Sequence, residues 1–333
     1  MQEKKLSVIM PVYNVVNYVN KAVLSVLSQG YKNIELLLVD DGSTDGSREI
    51  CQNLSKSDSR IKLICKQNQG VSSARNDALA LATGDYVTFV DSDDWLELDA
   101  YEKMMAYLLE TNADIAVMGF TPEGNDNFVA PLEIENQKIL SRDEAMECLI
   151  SCRIYTWSLW DKVYKRSLLK DIYFSTDVFN GEDLLFNWQV FKRAEKVSYI
   201  PLHSYHYIQR SDSMVNTFSV KKLTVINAFE RVLEDCNRKD EIGRKIQEKY
   251  ISTIINLGLN YFGSSYAKCI GFKYIEIEKV QRILRSEWQS ILFSKYQPKI
   301  KVAAFLLMLP VPIVVIIIKL YYMIKRRKVT VFV

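Results

Sequence analysis

Short apolar runs alternate with amphipathic segments over residues 6–90, and this alternation restricts the fold more than any other feature of the sequence. The runs lie at 6–10, 34–39, 61–65 and 86–90, and each predicts a strand; the first two are typical of strands buried on both faces. The segment between the first two carries apolar residues at helical spacing: Val16, Val19, Val23, Val26 and Leu27. Further helices are predicted from about Thr44 and over 71–83. The pattern predicts an α/β fold with a doubly wound, mostly parallel sheet.

Three of the predicted strands end in polar residues that can bind a ligand, at 11–14, 40–43 and 91–94. The carboxyl ends of parallel strands share one edge of a sheet, so we expect these segments to converge there. In an extended segment, Asp91 and Asp93 share one face while Ser92 points away, which suits a site for Mg²⁺ or Mn²⁺ that also holds phosphates. A solvated acidic turn is the alternative interpretation, and the role of Asp94 is open.

The third predicted helix opens with the small and polar residues of 68–76. Free backbone N–H groups and the positive end of the helix dipole favour anions there. Arg75, one turn inside the helix, is placed to reach a phosphate, and an ordinary surface arginine is the alternative. The sequence contains neither GxGxxG nor GxxxxGK[ST], so it gives no support to a dinucleotide-binding or P-loop protein.

Composition narrows the classes of partner. The chain has 43 Lys+Arg and 40 Asp+Glu, a formal charge of +3, so no general attraction to nucleic acid is expected. With two histidines and no paired CxxC motifs among the six cysteines, a zinc site is not expected and the thiols are predicted to be reduced. Residues 1–5 lead into a strand without a hydrophobic signal region, which predicts a cytoplasmic location for this part. A homo-oligomer is compatible with the sequence.

Aromatic residues and carboxylates downstream are candidates for binding a sugar. They lie at 155–164, at 181–183 and at 205–213, after a polar stretch at 121–137 that is predicted to form a loop over the site. Aromatic rings stack on the C–H faces of a sugar, whose hydroxyls form hydrogen bonds with polar side chains. For Trp157 and Trp160, burial in a core is an equally weighted alternative.

These segments resemble the GT-A-fold glycosyltransferases of family 2, bacterial enzymes that transfer a sugar from a nucleotide sugar with inversion. The resemblance rests on six motifs in the family's order: SVIMPVYN at 7–14, LLLVDDGSTDGS at 36–47, QGVSSARNDAL at 69–79, GDYVTFVDSDDWL at 84–96, Trp-x-Lys-x-Tyr at 160–164 and Gly-Glu-Asp at 181–183. It implies a Rossmann-like catalytic domain over 1–218.

The resemblance also implies roles for individual residues. Asp183 resembles the catalytic base, Asp93 the ligand of Mn²⁺ or Mg²⁺, and His206 is a second candidate ligand. Contacts to the donor, a UDP-sugar, are implied for Pro11, Tyr13, Asp41, Arg75, Asp91, Ser92, Arg210 and Ser213. Contacts to the acceptor are implied for Trp157, Trp160, Lys162 and Glu182. Segment 207–213 resembles the family's lid but lacks QxxRW, which favours the addition of a single sugar over processive polymerisation.

The chemistry of an inverting transfer fits these residues independently. One base deprotonates the acceptor hydroxyl and a metal assists the departing nucleoside diphosphate, so one carboxylate and a metal suffice. A glycosidase needs two opposed carboxyls, whereas Glu182 and Asp183 are helix neighbours that point about 100° apart. A non-catalytic membrane-bound scaffold of a polysaccharide assembly complex is the alternative, and the intact aspartates argue against it. A nucleotidyltransferase is a weaker alternative, because it would require a Gly-rich, Lys-containing loop that the sequence lacks.

The last third of the chain is predicted to be helical and to associate with a membrane. Residues 219–298 have a charged helical pattern, and the uncharged run 302–318 is flanked by basic residues within 299–328. The run is marginal for a span, which needs about 20 residues, and Pro310 and Pro312 break it. A single span would oppose the positive-inside tendency, so a peripheral or re-entrant helical pair is preferred. We expect the cytoplasmic face of the cell membrane, with a lipid-linked or cell-surface glycan precursor as acceptor.

Overall fold

The fold is described from a computed structural model for residues 4–124, 131, 135–209, 220–263, 274–294, 296–314 and 316–317. The chain divides into two units, Met1–Ser211 and Asp212–Val333. The sequence-based boundaries, a catalytic domain ending at 218 and a helical region ending at 298, stay predictions.

The strands of the first unit form a large and a small sheet. In chain order they are β1 (Leu6–Val12), β2 (Ile34–Asp40), β3 (Ile61–Cys65), β4 (Tyr86–Phe89), β5 (Trp95–Leu96), β6 (Ile115–Met118), β7 (Thr121–Glu123), β8 (Lys138–Ser141), β9 (Lys162–Lys165), β10 (Lys196–Ile200) and β11 (Tyr205–Ile208). The eight-stranded sheet has the order β3-β2-β1-β4-β9-β6-β10-β8, and the three-stranded sheet has the order β5-β11-β7.

The large sheet is mostly parallel, which confirms the predicted fold class. Strands β1 to β4 are parallel to one another, and β10 is parallel to β6. The antiparallel strands are β9, which lies between β4 and β6, and β8 at the edge. Strands β2 and β4 are buried at every residue, including Glu35 of β2, as expected for a parallel sheet that is covered on both faces.

Helices cover the sheet of the first unit: α1 (Val19–Leu27), α2 (Ser47–Ser57), α3 (Val71–Leu81), α4 (Ala100–Thr111), α5 (Arg142–Ser151) and α6 (Glu182–Arg193). Helix α1 buries the predicted apolar stripe from Val19 onward. Helix α2 begins three residues later than predicted from Thr44. Gly46 adopts a left-handed conformation there, and Asp45 Oδ1 accepts hydrogen bonds from the Ser47 amide and hydroxyl.

The second unit is helical in its described residues, as predicted for the C-terminal region. Its helices are α7 (Thr224–Glu234), α8 (Glu241–Gly263), α9 (Tyr274–Ser286), α10 (Trp288–Phe293) and α11 (Pro298–Leu307), and residues 311–314 and 316–317 are also helical. None of the helices in these ranges has both the length and the apolar sequence needed to cross a membrane.

Candidate active site

The loops that follow β1 and β2 are joined at the carboxyl edge of the sheet. The Asn14 side chain accepts a hydrogen bond from the Thr44 amide at 2.9 Å, and the Val15 amide donates to Ser47 Oγ at 2.9 Å. Tyr13 lies beside this junction with half of its side chain exposed. Pro11 lies within β1, at a position where only β2 pairs with the strand, because pairing with β4 ends at Ile9.

Asp41 holds the loop that precedes α3. Its two carboxylate oxygens accept hydrogen bonds from the amides of Gln69 and Gly70 at 3.0 and 2.8 Å, and the side chain is buried. The carboxylate therefore already has backbone partners in this structure. Its predicted contact with the UDP-sugar donor stays a prediction.

Arg75 joins three carboxylates from two separate parts of the chain. Its Nη1 lies 2.8 Å from Asp183 Oδ1 and 3.5 Å from Glu182 Oε1, and its Nη2 lies 3.3 Å from Asp91 Oδ1. The side chain is only 5% exposed, and its guanidinium packs over the Phe174 ring. Burial alone would lower the pKa of Arg75, but the three carboxylates hold it above its ordinary value. Arg75 is thus a buried cation at the centre of the acidic residues.

Asp183 is the second residue of α6. The helix begins directly after Gly181, whose φ of 94° lies in the left-handed region. Burial raises the pKa of Asp183 to about 8, with Arg75 acting against this rise and Glu182 and Asp91 adding to it. About a quarter of the side chain is still exposed, so a small molecule can reach the carboxylate. A raised pKa makes the deprotonated carboxylate a stronger base than an ordinary aspartate, and the carboxylate is available as a base only in its deprotonated fraction.

The acidic motif 91–94 divides into an accessible part and a buried part. Asp91 is one-third exposed and Asp93 is half-buried, whereas Ser92 and Asp94 are buried. Asp94 Oδ2 accepts a hydrogen bond from Tyr205 Oη at 2.7 Å, and Oδ1 accepts one from the Ile208 amide at 2.8 Å.

The buried carboxylate of Asp94 therefore fixes β11 to the acidic motif. Burial raises the pKa of Asp94 to about 9, and the charges of Asp91 and Asp93 add to the rise. This position gives Asp94, whose role the sequence leaves open, a structural function.

The two tryptophans proposed for the acceptor lie in different environments. Trp160 is 8% exposed and stacks on Tyr205 and Tyr207, with ring centroids 4.3 and 5.6 Å apart. Trp157 is half-buried, and its carbonyl accepts a 2.6 Å hydrogen bond from Asn187 Nδ2 on α6. The structure thus places Trp160 in the core, the alternative weighed above, and leaves Trp157 partly accessible.

Lys162, also proposed for the acceptor, has no exposed surface. Its ammonium donates hydrogen bonds to the carbonyls of Thr156 and Ser158 and to Asp161 Oδ1, at 2.9, 2.7 and 2.6 Å. All three donors of the ammonium have partners, so contact with an acceptor would require this arrangement to open. In the structure Lys162 instead holds the loop that carries Trp157.

His206 lies on β11 between two glutamates. Its Nδ1 is 2.7 Å from Glu123 and its Nε2 is 3.2 Å from Glu97, while its ring stacks on Trp95 with centroids 3.6 Å apart. Both ring nitrogens already have partners, so the predicted metal contact of His206 stays a prediction.

No preformed group of three or more His, Cys, Asp or Glu side chains suited to a cation is found within the described ranges. The predicted donor residues Arg210 and Ser213 lie outside those ranges.

Several residues of the site were not identified from the sequence. Asn76, next to Arg75, exchanges two hydrogen bonds with the backbone of Phe174, which lies beneath the guanidinium. Asn187 accepts a hydrogen bond from Tyr164 and donates to Trp157. Asn187 lies four residues after Asp183 on a predicted helix, so the i, i+4 spacing was the available signal.

The sequence of this chain is similar to those of known proteins. Residues 7–173 match the family model described as glycosyl transferase family 2. Glycosyltransferase GlyA of Streptococcus pneumoniae is 38% identical over 227 residues, which cover 66% of this chain and 32% of GlyA. The cholesterol galactosyltransferase of Borreliella burgdorferi is 27% identical over 336 residues, covering 85% of this chain and 92% of that protein.

A solved structure shows the same fold. S. aureus TarS 1–349 in complex with UDP-GlcNAc superposes with a TM-score of 0.62 at 19% identity, over 91% of this chain and 90% of TarS 1–349. The family model covers half of the chain and includes five of the six motifs on which the resemblance rests. The family predicted from those motifs is thereby confirmed, and the chain belongs to glycosyl transferase family 2.

Proposed function

We propose that this chain transfers a single sugar from a UDP-sugar to an acceptor hydroxyl, with inversion, and that Asp183 is the base. The observation that carries the proposal is the bridge formed by Arg75. It joins Asp183 at the start of α6 to Asp91 at the end of β4, although these residues are far apart in the sequence. A base and the acidic motif therefore meet at the sheet edge where α/β proteins bind ligands.

The chemistry of this proposal assigns one proton transfer to the protein. The accessible Asp183 carboxylate accepts the proton of the acceptor hydroxyl while that oxygen attacks the anomeric carbon and the bond to the nucleoside diphosphate breaks. Attack on the face opposite the leaving group inverts the anomeric centre. Arg75 supplies a fixed positive charge that orients Asp183 and limits the rise of its pKa.

Two observations support a UDP-sugar donor. The half-exposed ring of Tyr13 lies beside the polar loops that follow β1 and β2, and the similar protein TarS has been solved in complex with UDP-GlcNAc. Asp93, with Asp91 nearby, offers the carboxylate oxygens that Mn²⁺ and Mg²⁺ prefer, and both side chains are accessible. These residues fit a metal that takes its other ligands from phosphates and water. When bound, such an ion would offset the charge on the departing diphosphate.

For the acceptor, we propose a lipid-linked or cell-surface glycan precursor. The support is the similarity to a galactosyltransferase of cholesterol, which extends over most of both chains. Trp157 is partly exposed, and its carbonyl is bonded to Asn187 on α6, the helix that carries Asp183, so it is the proposed contact for the acceptor sugar.

The test uses the full chain and a panel of UDP-sugars, with UDP release as the readout. Asp183→Asn should lower turnover by about 100- to 10,000-fold and leave UDP-sugar binding nearly unchanged. Asp143→Asn is the matched control, because Asp143 is an exposed aspartate in the first turn of α5. If Asp183→Asn abolishes donor binding, Asp183 is not the base.

Two further arms test the metal and the alternative function. Removal of divalent ions with EDTA should stop UDP release, and added Mn²⁺ or Mg²⁺ should restore it. Full activity in EDTA would contradict the metal proposal. Donor binding without UDP release for any sugar and any acceptor would instead favour the non-catalytic scaffold.

A further inference from the structure

The C-terminal helices of the second unit have two different apolar faces. One face is buried within the unit and contains Ala304, Leu307, Val311 and Val314. The other is exposed to solvent over α10, α11 and the helical residues after α11. We call it the α10–α11 apolar face, and its members are Leu292, Phe293, Val302, Phe305, Ile313 and Ile316, which are between 38% and 82% exposed.

The buried face is firmly attached to its own unit. Leu307 packs close to Gly258 of α8, where an added Cβ would lie 2.9 Å from a Leu307 methyl group. From α9, Gln281 Nε2 donates to the carbonyls of Leu307 and Leu309 at 2.9 and 2.7 Å. Arg285 donates to the Met308 carbonyl at 2.7 Å.

These bonds satisfy carbonyl groups that the end of α11 leaves without helical partners before Pro310. The segment from 298 to 314 is therefore held on protein along one side. The opposite side of the segment carries exposed residues of the α10–α11 apolar face.

The charge of this part of the chain indicates which kind of partner the α10–α11 apolar face would bind. From residue 298 onward the given sequence contains no Asp or Glu, and its basic residues are Lys299, Lys301, Lys319, Lys325, Arg326, Arg327 and Lys328. Apolar side chains accompanied by positive charge alone complement a bilayer surface with anionic headgroups. A second copy of this face would bring the same positive charges together, so self-association is disfavoured.

We infer that the α10–α11 apolar face inserts into the interfacial layer of an anionic membrane while the opposite face of the same segment stays packed on the second unit. Helices α10 and α11 and the helical residues after α11 then bind as a peripheral, half-inserted element. The cytoplasmic leaflet of bacteria carries anionic lipid, which agrees with the predicted location. This inference does not depend on the proposed sugar transfer, because it concerns binding to lipid alone.

The experiment measures flotation of the purified full chain with vesicles, without donor or acceptor. Vesicles of phosphatidylcholine with phosphatidylglycerol should bind the chain, and binding should fall about tenfold or more in high salt or with phosphatidylcholine alone. The double variant Val302→Glu, Phe305→Glu should lose binding to the anionic vesicles. Leu109→Glu is the control, because Leu109 is a similarly exposed leucine on α4 of the first unit.

Two further readouts complete the test. Circular dichroism and analytical ultracentrifugation should be the same for the wild-type chain, the double variant and the control, since the substituted side chains are exposed. Equal binding of the double variant and the wild type would overturn the inference. So would a wild-type dimer that the double variant dissociates, since a second copy would then cover the face.

Discussion

The Arg75 guanidinium lies 2.8 Å from the Asp183 carboxylate, although the two residues are 108 positions apart in the sequence. The arginine is almost completely buried, whereas the aspartate is partly exposed. The cation is therefore a fixed part of the site, and the carboxylate beside it can exchange a proton with a ligand. This arrangement makes the pKa of Asp183 depend directly on Arg75.

We expect Arg75→Lys to raise the pKa of Asp183, because the shorter, unforked ammonium cannot contact Asp183 and Asp91 together. In this variant the positive charge at position 75 opposes the burial-induced rise in the pKa of Asp183 less effectively. The proposed base acts only when it is deprotonated. Turnover should therefore fall as the pH drops below the Asp183 pKa of about 8 in the wild type, and below a higher pH in the variant. The measurement is the pH profile of kcat for UDP release.

The control for this prediction is Arg60→Lys. Arg60 forms a partly exposed ion pair with Asp58 just before β3, at the amino end of that strand, so the same chemical change should leave the pH profile unchanged. A profile of Arg75→Lys that coincides with the wild-type profile would show that Arg75 does not influence the base.

The two tryptophans should respond differently to truncation. Trp160→Ala should lower the free energy of unfolding by about 3–5 kcal/mol, because the ring is buried in a stack with Tyr205 and Tyr207. Trp157→Ala should cost less stability and should mainly raise KM for the acceptor. Urea denaturation of both variants checks the first statement, and a larger stability loss for Trp157→Ala would contradict it.

Glu35 should give the fold a pH dependence of its own, away from the candidate site. Burial would raise its pKa, but hydrogen bonds from Lys62, Ser7, Lys5 and Thr83 hold it well below its ordinary value. A lowered pKa means that the stabilisation is present above about pH 4.5 and is lost as the pH falls through the folded-state pKa.

Glu35→Gln should therefore be less stable than the wild type at neutral pH, by about 2 kcal/mol, since both lysines are partly exposed. The difference should shrink as the pH is lowered below about 4.5. Urea denaturation of both proteins across this pH range provides the measurement. A difference that grows on acidification would show that the sign is wrong.

The first four strands could be predicted because each is a short, mainly apolar run followed by polar residues. Strands β1, β2 and β4 are buried almost throughout, whereas β3, at the edge of the sheet, is partly exposed. Strand β9 was not predicted, since it has four residues and begins with Lys162, a charged residue that is unusual in a buried strand. The small sheet was missed for a related reason. Strands β5 and β7 have two and three residues, too few for an alternating pattern to appear.

The position of the site could be predicted from the rule that strand ends of a parallel sheet share one edge. The contacts between the residues of the site could not be predicted in this way. Arg75 meets Asp183 because Phe174 connects the two helices: its backbone exchanges hydrogen bonds with Asn76 of α3, and its ring stacks on Phe186 of α6. These contacts are distant in sequence. The different orientations of Asp91 and Asp94 likewise depend on Tyr205, which lies on another strand.

The ion pair of Asp161 and Lys162 has a consequence for the evolution of related chains. Both side chains are fully buried, so replacing either one alone leaves an uncompensated charge in the core, at a cost of about 3–5 kcal/mol. The two charges can be lost together during evolution, but each single replacement would destabilise the protein and should be selected against. The pair should therefore be retained, or exchanged as a unit, even in descendants that no longer bind a sugar nucleotide.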